Sequence, residues 1–266
     1  MSDDSDGTQF TLLGGVAGIS PDDLTRRYAY PDDVPSCWVR GNMITSIDGG
    51  ATTGGKSGDL GGDGDRAVFA ALRRLADVIV VGATTARVEN YSGAQMGAAE
   101  RLARRDRGQA EIPPIAVLTR SGQIDRDTTL FHRTEVVPLV LTSADAVDDT
   151  RRRLGSLAEV VDASGAEPDS VDLPTVLAAL AERGLRRVLT EGGPGILGLF
   201  TEQDLLDELC VTVSPVLVGG HAGRIVSGPG EVRSGMALRH ALTDDAGYLY
   251  LRYTRDRRRG AADSRR

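Results

Sequence analysis

The stretch Arg186 to Phe200, RRVLTEGGPGILGLF, constrains the fold more than any other part of the chain. Arg187-Val188-Leu189-Thr190 reads as a short buried strand, and Glu191-Gly192-Gly193-Pro194-Gly195 is a glycine-rich turn. Ile196, Leu197, Leu199 and Phe200 supply the apolar face of a helix that begins at Pro194. Proline suits that first position, where its missing N–H costs nothing. A strand that runs through glycines into a helix N-terminus gathers free backbone N–H groups and the positive end of the helix dipole. The stretch therefore predicts a diphosphate-binding loop at Gly192 to Leu197, with the Glu191 carboxylate at its mouth.

The same grammar recurs along the chain. Strands are expected at Trp38–Thr45, Val78–Val81, Ile115–Leu118, Val136–Leu141, Glu159–Val161 and Asp207–Val218. Pro138 points to an edge or irregular position for the fourth of these. Helices are expected over Gly64–Ala76 with Asp63 as N-cap, over Ala94–Arg105, over Ala144–Leu154, and from Asp172 to Arg183, where Gly184 stops the last. Leu238–Leu242 and Tyr248–Tyr253 alternate in polarity around Asp244–Gly247, as a hairpin does. Strands alternating with helices predict an α/β fold. Its sheet is mixed but mostly parallel, flanked by helices on both faces, with an antiparallel hairpin at the C-terminal end. One domain is expected over residues 36–254. An acidic, partly ordered tail (1–35) with one short helix near Pro21–Tyr28 precedes it, and a basic, disordered tail (255–266) follows. From Gly49 to Gly64 a long loop rich in Gly, Thr, Ser and Asp has little capacity to form core, and loops of that length are usually functional or disordered.

Charge and residue usage narrow the function. With 31 basic and 38 acidic residues, a net charge of −7 argues against a nucleic-acid surface. No apolar run reaches the roughly 18 to 20 residues of a membrane span. MSDDSDGTQF does not read as a signal peptide, so a cytoplasmic location is expected. Cys37 and Cys210 lack metal or redox spacing, and His132, His221 and His240 are scattered, so no metal is expected. Gly193 to Gly198 spells G-x-G-x-x-G, yet the following strand carries no ribose-binding acid at its end, which sets aside a Rossmann half-domain.

Three further strand ends are candidates. Gly82-Ala83-Thr84-Thr85 offers backbone and hydroxyl donors. Thr119-Arg120-Ser121 is either an ordinary turn or a site for a phosphate monoester such as the 2′-phosphate of NADP. In Ser46-Ile47-Asp48-Gly49 the carboxylate is either a turn-former or a substrate contact; the residues alone leave both open.

Four stretches in order resemble a known family. They are Asn42 to Gly49 (NMITSIDG), Leu72-Arg73 with Ala76 to Thr85 (ADVIVVGATT), Leu189 to Pro194 (LTEGGP), and Asp207-Glu208-Leu209 through Pro215 to Gly220 (PVLVGG). Together they are similar to the pyrimidine reductase domain of bacterial riboflavin biosynthesis, a branch of the dihydrofolate reductase-like fold, over about residues 36–253. The resemblance implies an NADPH-dependent reductase, usually a homodimer, acting on a small molecule. The reaction it implies is reduction of 5-amino-6-(5-phosphoribosylamino)uracil to the ribitylamino product. Carried over residue by residue, it places the cofactor at Ile44, Gly82, Thr85, Glu89, Thr119, Arg120, Ser121, Gly192, Gly193, Pro194, Gly195, Ile196 and Leu197. It places the substrate at Asn42, Ser46, Ser57 and Arg73, with Arg73 toward a substrate phosphate, and gives Asp48 and Glu191 the catalytic positions. The riboflavin enzymes usually carry lysine where this chain has Asn42, and the segment after Glu89-Asn90-Tyr91 diverges. A pterin substrate and an NADP-binding protein without turnover therefore stand as alternatives. The deaminase partner domain of the bifunctional enzymes is not in this sequence, so a stand-alone reductase is expected.

Overall fold

The computed structural model describes residues 19–256. Its first half holds α1 (Pro21–Arg27), β1 (Trp38–Ser46), α2 (Asp63–Leu75), β2 (Val78–Gly82), α3 (Ala83–Val88), α4 (Ala98–Asp106), β3 (Ile115–Leu118) and α5 (Thr129–His132). The second half holds β4 (Leu139–Thr142), α6 (Ala144–Leu154), β5 (Glu159–Asp162), α7 (Leu173–Glu182), β6 (Arg187–Thr190), α8 (Pro194–Glu202), β7 (Glu208–Ser214), β8 (Met236–Thr243) and β9 (Leu249–Arg255).

The strands form one sheet in the order β5-β4-β3-β2-β6-β1-β7-β9-β8. Pairing is parallel from β5 to β7 and antiparallel from β7 through β9 to β8. This is the expected dihydrofolate reductase-like α/β sheet with its C-terminal hairpin. Side chains of a strand alternate between faces, and both faces are buried here. Ile79 and Val81 join Val68, Leu72 and Leu75 of α2 on one side, while Val78 and Val80 join Leu173, Val176 and Leu180 of α7 and Leu197 and Phe200 of α8 on the other. Burial on both faces is why β2 reads as an unbroken apolar run rather than an alternating one. After β1 the chain builds outward through β2 to β5, then returns to insert β6 beside β1 and lay β7 on its far side. That reversal opens a crevice beyond the carboxyl ends of β1, β6 and β2, where open α/β sheets bind ligands.

Several boundaries differ from expectation. Asp63 is the first residue of α2, not its cap; Gly62 takes the cap position without a side-chain hydrogen bond. Asp63 and Asp65 instead set negative charge in the first turn, against the positive helix end. Helix α4 starts at Ala98, because Ala94 and Met96 are buried from a non-helical segment that packs into the core. Strand β4 begins only after Pro138 and lies inside the sheet; the Pro138 carbonyl accepts from Glu159 N–H at 2.9 Å. Strand β7 ends at Ser214, before Pro215, which has no N–H to extend a ladder.

Tyr28 and Tyr30, just past α1, are 1% and 7% exposed and belong to the core. They adjoin a buried ionic cluster. Glu208 receives Arg40 Nε at 2.6 Å and Arg252 Nε at 2.8 Å, and Trp38 Nε1 donates to it at 3.2 Å. Burial alone would raise the Glu208 carboxyl, but the two guanidinium groups hold it below its ordinary value. Residues 1–18 and 257–266, which contain most of the two expected tails, lie outside the described residues, while Arg255 is part of β9. No helix among the described residues is long and apolar enough to cross a membrane.

Candidate active site

A cavity of about 630 Å³ lies in the crevice. Its floor is Asn42, Met43 and Ile44 of β1, and one wall is Asp65, Arg66, Phe69 and Arg73 of α2. The opposite wall holds Thr84, Thr85 and Val88 of α3, with Glu89, Tyr91 and Ser92 after it, and Glu191, Gly193 and Pro194 close the end. Residues of the long loop, among them Thr52, Ser57 and Gly61, also line it.

Glu191 leaves β6 with its N–H donating to Val80 O of β2 at 3.0 Å, which fixes the backbone. Its side chain is 2% exposed and fully engaged. Arg73 Nε and Nη2 donate to its two oxygens, each at 2.7 Å, and Tyr91 OH donates to Oε2 at 2.7 Å. The Arg73 guanidinium lies 4.2 Å from the Phe69 ring centroid. Burial alone would lower the Arg73 pKa, and the Glu191 carboxylate more than reverses that. Burial, then the Glu191 charge, drive the Tyr91 phenol well above its ordinary value, so it remains a neutral donor. The bidentate pair engages Nε and Nη2 of Arg73 with an internal carboxylate, while the side chain still lines the cavity.

The glycine turn packs against β2 and α3. Gly82 N–H donates to Gly192 O at 2.8 Å, and the Gly192–Gly193 peptide is cis. Gly192 has φ +86°, in the left-handed region that favours glycine. A Cβ on Gly193 would lie 2.5 Å from Thr85 Oγ1, whereas one on Gly195 would meet nothing within 4 Å. The first turn of α8 therefore faces open space with bare backbone. Ile196 covers Gly82, where a Cβ would come 3.0 Å from Ile196 Cγ1. Leu197 is fully buried in the core below α8, so only its backbone can face a ligand.

Asp48 does not line the cavity. Ser46 Oγ donates to its Oδ1 at 2.5 Å, Val218 N–H to the same oxygen at 3.1 Å, and Gly219 N–H to Oδ2 at 2.7 Å. Ser46, itself buried, accepts from Gly50 N–H at 2.8 Å. These bonds, led by that from Ser46, bring the Asp48 pKa down to about 2. The carboxylate ties the exit of β1 to the exit of β7, so the turn-forming role accounts for its contacts.

Glu89 has a similar task at the cavity wall, where its Oε1 accepts from Ser57 N–H at 2.9 Å and Ser57 Oγ at 2.8 Å. That clasp anchors the Gly49–Gly64 loop to the end of α3. Thr119, Arg120 and Ser121 follow β3, next to the end of β2, and lie outside the cavity; Arg120 and Ser121 are exposed. Of the expected site residues, Asn42, Ile44, Ser57, Arg73, Thr85, Glu89, Glu191, Gly193 and Pro194 come together around one space.

The sequence reading overlooked Asp65, Phe69 and Tyr91. Asp65, Phe69 and Arg73 recur every fourth residue, a second stripe on α2 beside the apolar stripe Val68, Leu72 and Leu75, and that spacing was the available signal. Tyr91 follows Asn90, whose φ of +51° turns the chain back after α3. Burial raises the Asp65 carboxyl above its ordinary value, against smaller opposing effects of the Thr212 hydroxyl and Arg66.

A family model described as the RibD C-terminal domain matches residues 37–250. The chain belongs to that family. Among relatives of this RibD C-terminal domain, the 2,5-diamino-6-ribosylamino-4(3H)-pyrimidinone 5′-phosphate reductase of Archaeoglobus fulgidus is 29% identical over 149 residues, 56% of this chain and 66% of that protein. The riboflavin biosynthesis protein RibD of Chlamydia trachomatis is 30% identical over 210 residues, 77% of this chain and 53% of that protein. The chain thus spans about two thirds of the first relative's length and about half of the second's. A crystal structure of a pyrimidine reductase-like protein from Corynebacterium diphtheriae superposes with a TM-score of 0.77 at 27% identity, covering 88% of this chain and 98% of that one.

Proposed function

We propose that this chain is an NADPH-dependent reductase of riboflavin biosynthesis, working in the cytoplasm on a ribosylamino-pyrimidine 5′-phosphate such as 5-amino-6-(5-phosphoribosylamino)uracil. The observation that carries the reading is the Glu191–Arg73–Tyr91 lock set beside the bare glycine turn, in a RibD C-terminal domain.

The residues present fit the cofactor. The space above Gly195 and the close approach of Gly193 to Thr85 leave a cradle that a side chain would fill. Backbone N–H groups of the first turn of α8 would hold the diphosphate between Gly192 and Leu197. Arg120, with Thr119 and Ser121, would take the 2′-phosphate, and the backbone at Ile44 would face the nicotinamide. When bound, NADPH supplies the hydride; the protein supplies orientation and electrostatics.

Substrate would occupy the space between Asn42, Ser57 and Glu191. With Arg73 held by Glu191, the cation for a substrate phosphate would be Arg66, which lines the cavity with an exposed side chain. Glu191 would be a catalytic-site carboxylate of fixed orientation, and Asp48 and Ser46 would position the β1 exit from outside. The exposed apolar residues Ile47, Val216 and Leu217 favour a homodimer that covers them.

The test is NADPH oxidation by the purified protein with the ribosylamino-pyrimidine phosphate and with dihydrofolate side by side. Turnover of the pyrimidine alone is expected. Turnover of dihydrofolate alone would move the substrate to a pterin, and turnover of neither, with the cofactor still bound, would leave a nucleotide-binding protein.

A further inference from the structure

We infer that Asp65 is the proton donor of the reduction, an inference that rests on the reductase reading above. Three carboxyl groups line the cavity: Asp65, Glu89 and Glu191. Glu191 is held by Arg73 and Tyr91, and Glu89 by the N–H and hydroxyl of Ser57. These donors hold Glu191 on both oxygens and Glu89 on Oε1, which leaves the two carboxylates little freedom to turn toward a substrate. Asp65 differs. The Thr212 hydroxyl stands beside it, and the neighbouring Arg66 is ion-paired with Asp63.

The fold holds this carboxyl in place from three elements. Tyr248 OH donates to Leu60 O at 3.1 Å, and the Tyr250 hydroxyl lies so close to Gly64 that a Cβ there would be 2.1 Å from it. Both contacts pin the start of α2 on the C-terminal hairpin. A Cβ on Gly61 would lie 2.9 Å from Asp65 Oδ2, so glycine leaves the carboxyl room under the loop. Thr212 pairs in register with Ile44 on one side and Tyr250 on the other. Asp65 therefore stands at the Ile44 end of the cavity, where the hydride arrives in the proposed pose.

The step balances. In the open-chain imine of the ribosylamine, C1′ receives the hydride and the electron pair of the C=N bond moves to nitrogen. That nitrogen takes the proton of Asp65, giving the ribitylamine and an Asp65 carboxylate beside Thr212. Solvent at the cavity mouth returns the proton. Burial favours the protonated acid, consistent with the raised Asp65 pKa. The charged and titratable groups facing it are Arg66 on α2, Tyr250 with Asp244 on the hairpin, and Arg73, Glu191 and Glu89 across the cavity.

The test uses the full chain and the Asp65→Asn substitution. The expected result is a kcat lower by about 100-fold or more with NADPH affinity within about threefold of the parent. In the parent, kcat/KM should fall as pH rises through the Asp65 pKa; this limb should vanish in Asp65→Asn and return in Asp65→Glu. Thr212→Val should move the limb to higher pH, because the hydroxyl stabilises the charged form. Carbon-13 NMR of the cofactor-free protein should show Asp65 titrating above the ordinary value of about 4. An Asp65→Asn enzyme with an unchanged kcat, a limb that persists without the carboxyl, or titration at or below the ordinary value would each overturn the proposal. If Asp65→Asn does not fold, the Thr212→Val profile and the parent titration decide it. A parent enzyme that turns over no pyrimidine removes the reductase reading and this step with it. A parent that does so, with Asp65→Asn equally active, removes this step alone.

Discussion

At Glu191 a carboxylate accepts from donors that lie 118 and 100 residues away in sequence, on α2 and just past α3. Its position beside a glycine turn was legible; the identity of its partners was not, because they meet only when β6 inserts between β1 and β2. Asp48 shows the opposite case. Either a turn or a substrate contact would place an acid after Ser46-Ile47, and the contacts with Val218 and Gly219, which form only in the fold, are those of a turn. The Asp48 contacts favour the ionised form, with a folded pKa of about 2 against 3.8. A depressed folded value means the stabilisation is present above the unfolded pKa and is lost as pH falls through the folded one. In denaturant unfolding, the stability difference between the parent and Asp48→Ala should therefore be full above pH 4 or so and shrink toward pH 2. A difference that stays constant over that window would refute the assignment.

At the scale of elements, the strand–turn–helix from Arg187 to Glu202 carries the cofactor argument. If Gly193 and the first turn of α8 form the diphosphate cradle, Gly193→Asp should weaken NADPH binding by about 100-fold or more. The added side chain collides with Thr85 and sets a negative charge against the diphosphate, which at about 4 Å and an effective dielectric near 20 costs roughly 4 kcal/mol per charge pair. Fluorescence or calorimetric titration reads this directly; unchanged affinity would place the diphosphate elsewhere. Strands with buried apolar runs, such as β2, β3 and β4, could be located from the sequence because burial dictates their composition. Helix α4 was placed too early because Ala94 and Met96 suit a helix locally, while the core captures them from a non-helical segment. On α2 the apolar stripe Val68, Leu72 and Leu75 dominates the pattern, and it masks the second stripe of Asp65, Phe69 and Arg73 that meets the cavity.

At the scale of the whole molecule, the mostly parallel sheet with its terminal hairpin and the family both follow from features visible in the sequence: alternating strands and helices, and four short motifs in a fixed order; the insertion of β6 between β1 and β2 does not. The cavity did not follow, since it is assembled from β1, α2, α3, the turn after β6 and a loop with little core of its own. The hairpin that ends the sheet has no cavity residue in its sequence pattern, yet its Tyr248 and Tyr250 pack against Leu60 and Gly64 at the start of α2. The central claim is that this cavity brings a nicotinamide hydride to C1′ of a ribosylamino-pyrimidine phosphate. The most direct measurement is to incubate the protein with NADPH deuterated at the nicotinamide C4 and that substrate, then analyse the product by mass spectrometry and NMR. The account predicts a ribitylamino product carrying one deuterium, located at C1′; product without deuterium at C1′, or no product with cofactor and substrate both bound, would contradict it.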